Sequence, residues 1–150
     1  MLDLHINTKV KCLPNLKQFQ RWVNLVLAHE QVNSRVTLYI VDKAESQHFN
    51  RHYRGNNKST NVLAFRPAET IVKLAPFLLG DLILCAPLIQ QEASKQGKQP
   101  LAHWAHLVIH GTLHLLAYDH VQTEAAIAME ALECQLLAKL GIANPYAEAT

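Results

Sequence analysis

The chain has few cysteines and no apolar run long enough to cross a bilayer. Cys12, Cys85 and Cys134 are odd in number and widely spaced, and no CxxC pair occurs. This pattern argues against a disulfide framework and favours reduced thiols. The apolar runs fall short of the roughly 18 residues that a spanning helix needs. The first residues, MLDLHINTKVK, lack the basic segment and apolar core of a secretory signal. We therefore expect a cytoplasmic protein with no membrane partner.

Repeats, linkers and low-complexity segments are also lacking. The 150 residues are 49% apolar and 17% charged, which is typical of a soluble globule with a real core. We expect one domain over 1–150. The net charge is only +2, with a basic body and an acidic last helix. That distribution is compatible with an RNA partner but does not establish one, since ordinary solvated faces explain it equally well.

Apolar periodicity predicts four strands and about five helices. The predicted strands are 2–6, 36–41, 61–65 and 80–85. The predicted helices are 16–30, 42–53, 87–97, 101–116 and 123–140. Together they predict an α+β fold with a four-stranded mixed sheet, in which the strand order is left open.

Two local features complete this prediction. Asp42 is predicted to cap the second helix, with Glu45 reaching back to form a capping box. The segment between the third and fourth strands contains Pro67 and Pro76 and is predicted to be a loop.

The run HGTLHLLAYDH has the histidine spacing of a tetrahedral metal site. His110 and His114 are four residues apart, so on a helix they lie on one face. His120 would complete three protein ligands and leave a fourth position for water, as in a catalytic zinc centre. We expect one Zn²⁺ ion, because imidazole suits zinc, although it accepts other divalent ions.

His106 extends the same stripe but is not predicted to be a ligand. On a straight helix, His106, His110 and His114 would spread over roughly 12 Å. Zn–N bonds of about 2.0–2.1 Å cannot span that length, so the third ligand must come from beyond a bend. His103 lies further up the helix. For His103 and His106 we expect a surface or cleft-lining position.

Asp119, beside His120, has three possible roles. It could cap the turn, orient a ligand imidazole, or accept a proton as a catalytic residue. Turn-capping and orientation rank first, because short polar side chains before a helix usually form local hydrogen bonds.

Position 111 separates two kinds of enzyme. The H-x3-H-x5-H spacing is that of the metzincin proteases, a family of zincins, whose first histidine is followed by a glutamate that serves as general base. Here that residue is Gly111, which cannot transfer a proton. A metzincin-like metalloprotease is therefore the runner-up function.

A basic segment, 51–66, includes the third predicted strand. It contains Arg51, Arg54, Lys58 and Arg66, with Tyr53 among them. Guanidinium groups bind phosphate through paired hydrogen bonds, but cations also favour helix C-termini. The residues alone favour neither interpretation, phosphate binding or a solvated helix end.

The motifs HGTLHLLAYDH, YRGNNKSTNVLAF and GDLIL together resemble the YbeY family of bacterial rRNA maturation factors. The likeness covers about residues 36–141. It implies a zincin-like metal-binding helix and a single-strand-specific metal-dependent endoribonuclease. The implied role is maturation of the 3′ end of 16S rRNA and late ribosome quality control, with single-stranded RNA and the small ribosomal subunit as partners. It also implies zinc ligands at His110, His114 and His120, and a functional arginine at Arg54.

Two positions depart from the family pattern. Its glycine in LLGYDH is Ala117 here, and its serine in TNVLSF is Ala64. If residue 117 needs a positive φ, alanine costs on the order of 1 kcal/mol. The general base stays open between a hydroxide at the metal, Asp119 and the RNA 2′-hydroxyl. A non-catalytic ribosome-assembly factor with structural zinc is a third possible function, and we expect a monomer.

Overall fold

The computed structural model describes residues 2–55, 58, 60–118 and 123–146. Its strands are β1 Leu2–Asn7, β2 Arg35–Val41, β3 Val62–Phe65 and β4 Leu78–Cys85. Its helices are α1 Leu16–His29, α2 Lys43–Arg54, α3 Glu69–Leu74, α4 Ala86–Lys95, α5 Pro100–Leu115 and α6 Thr123–Lys139. The predicted α+β fold is confirmed, and the four strands and five longer helices lie close to their predicted positions.

The four strands form one mixed sheet in the order β1-β2-β4-β3. β1, β2 and β4 are parallel, whereas β3 runs antiparallel to β4 at the edge. The register aligns Leu4, Leu38, Leu82 and Ala64 across the sheet. Because successive side chains of a strand point to opposite faces, this row marks the face that packs on the helices.

The core lies between this face of the sheet and helices α1 and α5. Leu38, Leu82 and Leu84 from the sheet are fully buried, as are Phe19 of α1 and Trp104 of α5. Most residues of α5 are buried, so its polar side chains must find partners inside the protein. No helix in the described part of the chain is long and apolar enough to cross a membrane.

The predicted capping box at Asp42 is wrong. Asp42 precedes α2, but its side chain makes no cap hydrogen bond. Its carboxylate accepts hydrogen bonds from the Thr8 hydroxyl and from the Lys9 backbone N–H, while Glu45 accepts one from Asn7. These groups lie at or just after the end of β1, so a contact between distant segments replaces the local cap.

A short helix was missed where a loop was predicted. α3 lies between Pro67 and Pro76 and spans six residues. Ile71 is 43% exposed and Leu74 is 83% exposed. The helix is short and has no side-chain cap, so the sequence offers neither a capping signal nor enough turns for amphipathic periodicity to reveal it.

Candidate metal centre

Four histidines form a row along α5. His103, His106, His110 and His114 are spaced by three, four and four residues, which places them on one side of the helix. Successive ring centroids are 6.4, 6.1 and 4.6 Å apart. The two rings closest together are those of His110 and His114, which the sequence predicts to be metal ligands.

The geometry of His110 and His114 fits a shared metal ion. Their Nε2 atoms lie 3.1 Å apart. Two nitrogens bound tetrahedrally to one ion at about 2.05 Å would be separated by about 3.3 Å. Both side chains are half-buried, and imidazole nitrogen is a preferred zinc donor. The structure thus brings together two of the three predicted ligands.

The third predicted ligand, His120, and its neighbour Asp119 lie outside the described residues. The chain between His114 and this segment is described as far as Tyr118. α5 ends with the Tyr118 N–H bonded to the Leu113 carbonyl and the Ala117 N–H bonded to the His114 carbonyl. This Schellman arrangement requires a left-handed residue, and Ala117 has φ +73°. The condition for strain at Ala117 is therefore met.

Glu133 is a partner of the histidine row that sequence reasoning missed. It comes from α6 and is fully buried. Its Oε1 accepts a hydrogen bond from His110 Nδ1. Its Oε2 accepts one from His106 Nε2, at 3.0 Å, and another from the hydroxyl of Tyr146. A sequence signal existed, because Glu133 falls four residues after Met129 and four before Leu137, on the apolar stripe of α6.

These contacts keep Glu133 ionised. Burial alone would raise the pKa of its carboxyl group, but the hydrogen bonds from His106, His110 and Tyr146 outweigh burial and lower the pKa to about 2. The pKa of Tyr146 is raised, by burial and by its bond to the carboxylate. An ionised carboxylate only accepts hydrogen bonds, so His110 carries its proton on Nδ1 when neutral. Its Nε2, which faces His114, is then unprotonated.

His106 and His103 are buried, so of the predicted surface or cleft-lining position the surface alternative is wrong for both. His106 is 9% exposed and His103 is 4% exposed. Ligand atoms of His106, His110 and Glu133 all lie within 4.8 Å of one another, so this group could also hold a metal ion. His110 can thus offer Nε2 to an ion shared with His114, or Nδ1 to one shared with Glu133.

His103 belongs to a separate polar pair at the start of α5. Its Nε2 lies 3.0 Å from Oε1 of Glu92 on α4. The same carboxylate accepts a hydrogen bond from Asn61 at 3.1 Å. Burial lowers the pKa of His103, and the bond to Glu92 opposes this shift. The pair connects α4 and α5 to the residue that precedes β3.

Arg54 is the last residue of α2 and lies against the edge strand β3. Its Nη2 donates a hydrogen bond to the Ala64 carbonyl at 2.8 Å. Its guanidinium carbon lies 5.4 Å from the centroid of the Phe65 ring, a cation–π distance. The following residue, Gly55, is left-handed with φ +73° and ends the helix. Arg54 is exposed, so its guanidinium is held in place but open to solvent.

The sequence matches the family model described as Endoribonuclease YbeY over residues 5–141. This stretch contains β2, β3, β4 and the whole histidine row. The chain belongs to the YbeY family. An Endoribonuclease YbeY from Cellvibrio japonicus (strain Ueda107) is 46% identical over an alignment length of 150 residues. The match covers 99% of this chain and 84% of that protein.

A solved structure has the same fold. The solution structure of TM1509 from Thermotoga maritima superposes with a TM-score of 0.60 and covers 97% of this chain and 99% of that one. The two sequences are only 20% identical, so this similarity is evidence for the fold alone. The predicted membership of the YbeY family therefore rests on the family model and on the Cellvibrio relative.

Proposed function

We propose that this YbeY family member is a zinc-dependent, single-strand-specific endoribonuclease. It would mature the 3′ end of 16S rRNA and take part in late ribosome quality control, acting in the cytoplasm as a monomer on RNA of the small ribosomal subunit. The observation that supports this proposal best is the 3.1 Å separation of His110 Nε2 and His114 Nε2 in a chain that matches the Endoribonuclease YbeY model over residues 5–141.

One Zn²⁺ would be held by His110, His114 and His120. A bound zinc ion can polarise a phosphoryl oxygen and lower the pKa of a water molecule. The chain's own contribution is to present unprotonated imidazole nitrogens from one rigid, buried helix. His110 meets this requirement because its proton is directed to Glu133. Asp119 remains a candidate proton acceptor beside His120.

Arg54 would bind the substrate phosphate and offset negative charge as the transition state forms. A guanidinium group has five N–H donors in a fixed fork. The bond from Nη2 to Ala64 and the contact with Phe65 fix its orientation, and the remaining donors suit two oxygens of one phosphate. This preorganisation lowers the entropy cost of holding the phosphate.

The central test measures cleavage of a single-stranded RNA by the wild type, His114→Ala and Arg54→Glu, with the zinc content of each. We expect His114→Ala to lose zinc and cleavage. Arg54→Glu should lose cleavage but keep zinc, because the contacts that the structure gives for Arg54 are with β3, and neither His110 nor His114 is among them. A matched duplex RNA should be cut far more slowly than the single strand.

Other results would favour the alternative functions. Casein hydrolysis that is indifferent to Arg54→Glu would indicate a metalloprotease. Ribosome binding without turnover, with equal residual cleavage in the wild type and His114→Ala, would indicate a non-catalytic assembly factor and a contaminating nuclease.

The cellular role has its own test. Cells that lack the protein should accumulate 16S rRNA precursors with extended 3′ ends. A wild-type copy should restore the mature end, whereas His114→Ala should not. Normal 3′ ends in the depleted cells would overturn the proposed role in maturation.

A further inference from the structure

The buried carboxylate of Glu133 has both oxygens directed at the histidine row. We propose that Glu133, itself held by Tyr146 from the segment after α6, is the positioning residue that orients His110 for the metal. This inference rests on the proposed function, because it assumes that His110 Nε2 is a metal ligand. It assigns a role to two residues outside the predicted ligand set.

A carboxylate is costly to place at this buried position. Glu133 is fully buried on the same side of α6 as Met129 and Leu136, which are also fully buried. Burying a charge is unfavourable unless every lone pair is satisfied, and an apolar residue at such a position is often neutral or stabilising. A carboxylate at this position is therefore better explained by its contacts with His106, His110 and Tyr146 than by packing.

The hydrogen bond between His110 and Glu133 has the direction that a metal ligand requires. Oε1 accepts the Nδ1 proton of His110, which places the unprotonated Nε2 toward His114. Metal-binding histidines commonly donate their other ring N–H to a carboxylate, which fixes the tautomer and the ring orientation. In His110, Nδ1 faces the carboxylate that accepts its proton, and Nε2 faces His114, where the metal ion would bind.

The carboxylate of Glu133 is itself fixed in place. Its Oε2 accepts from the Tyr146 hydroxyl and from His106. Tyr146 is anchored because its backbone N–H bonds to the Asn144 side chain at 2.8 Å. The same side-chain oxygen accepts the Cys134 thiol at 3.1 Å.

A further anchor comes from the turn before α5. Lys98 donates to the Pro145 carbonyl at 3.3 Å. Residues 144–146 are thus tied to α6 and to the α4–α5 turn. This segment delivers the phenol to Glu133, so it contributes to the metal centre although it lies beyond the last helix.

The competing arrangement uses the same atoms differently. An ion bound by His106, His110 Nδ1 and Glu133 would make Glu133 a direct ligand. His106 and His114 separate the two arrangements, because His106 bonds to Glu133 whereas His114 faces Nε2 of His110. In our proposal His114 is indispensable for the metal and His106 only supports Glu133.

The experiment measures zinc affinity by competition with a chromophoric chelator, together with the absorption spectrum of the cobalt-loaded protein. The variants are Glu133→Gln, Tyr146→Phe, His106→Asn and His114→Ala. Glu133→Gln should lower zinc affinity about 10–100-fold and change the cobalt spectrum, because loss of such outer partners has this effect at other sites. Tyr146→Phe and His106→Asn should also lower zinc affinity, by a smaller factor than Glu133→Gln.

A matched variant separates a loss of zinc affinity from a loss of folding stability. Glu133→Met keeps the length of the side chain and suits the apolar stripe of α6. We expect its metal-free form to melt near the wild-type temperature while its zinc affinity stays low, an outcome that a purely structural role would not produce. If Glu133→Gln folds poorly, this variant carries the test.

The outcomes that contradict the inference are distinct from those that contradict the proposed function. Wild-type affinity and cobalt spectrum in Glu133→Gln or Glu133→Met, with zinc lost in His114→Ala, would overturn the role of Glu133 and leave the function standing. Zinc loss in His106→Asn equal to that in His114→Ala would show Glu133 to be a ligand rather than a positioning residue. Zinc retained in His114→Ala would contradict the proposed metal site itself.

Discussion

A β-carbon placed on Gly111 would lie 2.8 Å from a methyl carbon of Leu82 and 3.3 Å from one of Val62. Helix α5 therefore rests directly on β4 and β3 at the residue after His110. A glutamate at this position, as in metalloproteases of the HExxH type, would have to enter the packed interface between the helix and the sheet. The glycine thus serves close packing in addition to lacking a proton acceptor.

Gly111→Glu should be strongly destabilising. It inserts volume into a packed interface and buries a carboxylate, which together should cost at least about 3 kcal/mol. Urea unfolding measures this loss, and Ala128→Glu on the exposed side of α6 is the matched control, with little expected effect. A Gly111→Glu protein of wild-type stability, above all one that hydrolyses casein, would contradict this account of the interface.

Ala117→Gly should stabilise the protein. Ala117 occupies the left-handed position of the Schellman motif that ends α5, and glycine removes the steric cost of that conformation. We expect a gain of about 1 kcal/mol, which raises Tm by roughly 2–4 °C in a protein of this size. Ala128→Gly, inside α6, should lose about 1 kcal/mol instead. If both variants lose stability, the strain at Ala117 is not real.

Zinc should raise the melting temperature of the protein, and a chelator should reverse the effect. A ligand that binds only the folded state at 100 times its Kd adds about 2.7 kcal/mol, which corresponds to roughly 5–11 °C here. Differential scanning fluorimetry measures the shift. It should vanish in His114→Ala and persist in His29→Ala, whose side chain lies at the end of α1. An equal shift in all three proteins would indicate zinc binding elsewhere.

The stability of the metal-free protein should depend on pH through His103. Burial lowers the pKa of this histidine in the folded state, so the unfolded chain, with a pKa of about 6.5, takes up the proton first. As pH falls through 6.5, the folded state therefore loses stability. His103→Gln should show a shallower fall in Tm between about pH 6.5 and 5 than the wild type. Parallel curves for the two proteins would show that His103 titrates as it does in the unfolded chain.

The sequence anticipates the fold well where local patterns determine it. Alternation in LDLHI and the apolar run VTLYIV correspond to β1 and β2, and the four-residue spacing of His110 and His114 brings their nitrogens to 3.1 Å. Strand order could not be predicted, because it depends on which segments pair after the chain has turned.

Apart from the missed helix α3, the errors share one physical cause, which is contact between distant residues. His110 and Glu133 are 23 residues apart, and His106 and Tyr146 are 40 apart. No local periodicity encodes such pairs. Asp42 failed as a cap because Thr8, 34 residues away, binds its carboxylate. His103 and His106 were expected at a surface or lining a cleft, yet both are buried, because each is paired with a carboxylate on a neighbouring helix.

The short edge strand β3 touches both halves of the proposed active site. On one side the Ala64 carbonyl holds the guanidinium of Arg54, and on the other Val62 lies against Gly111, next to His110. Only four residues make up this strand. A slip of one residue along β4 would displace the guanidinium of Arg54 relative to the imidazoles by about 3.4 Å. The register of one hydrogen-bonded ladder thus sets the distance between the two groups that are proposed to act on one phosphodiester.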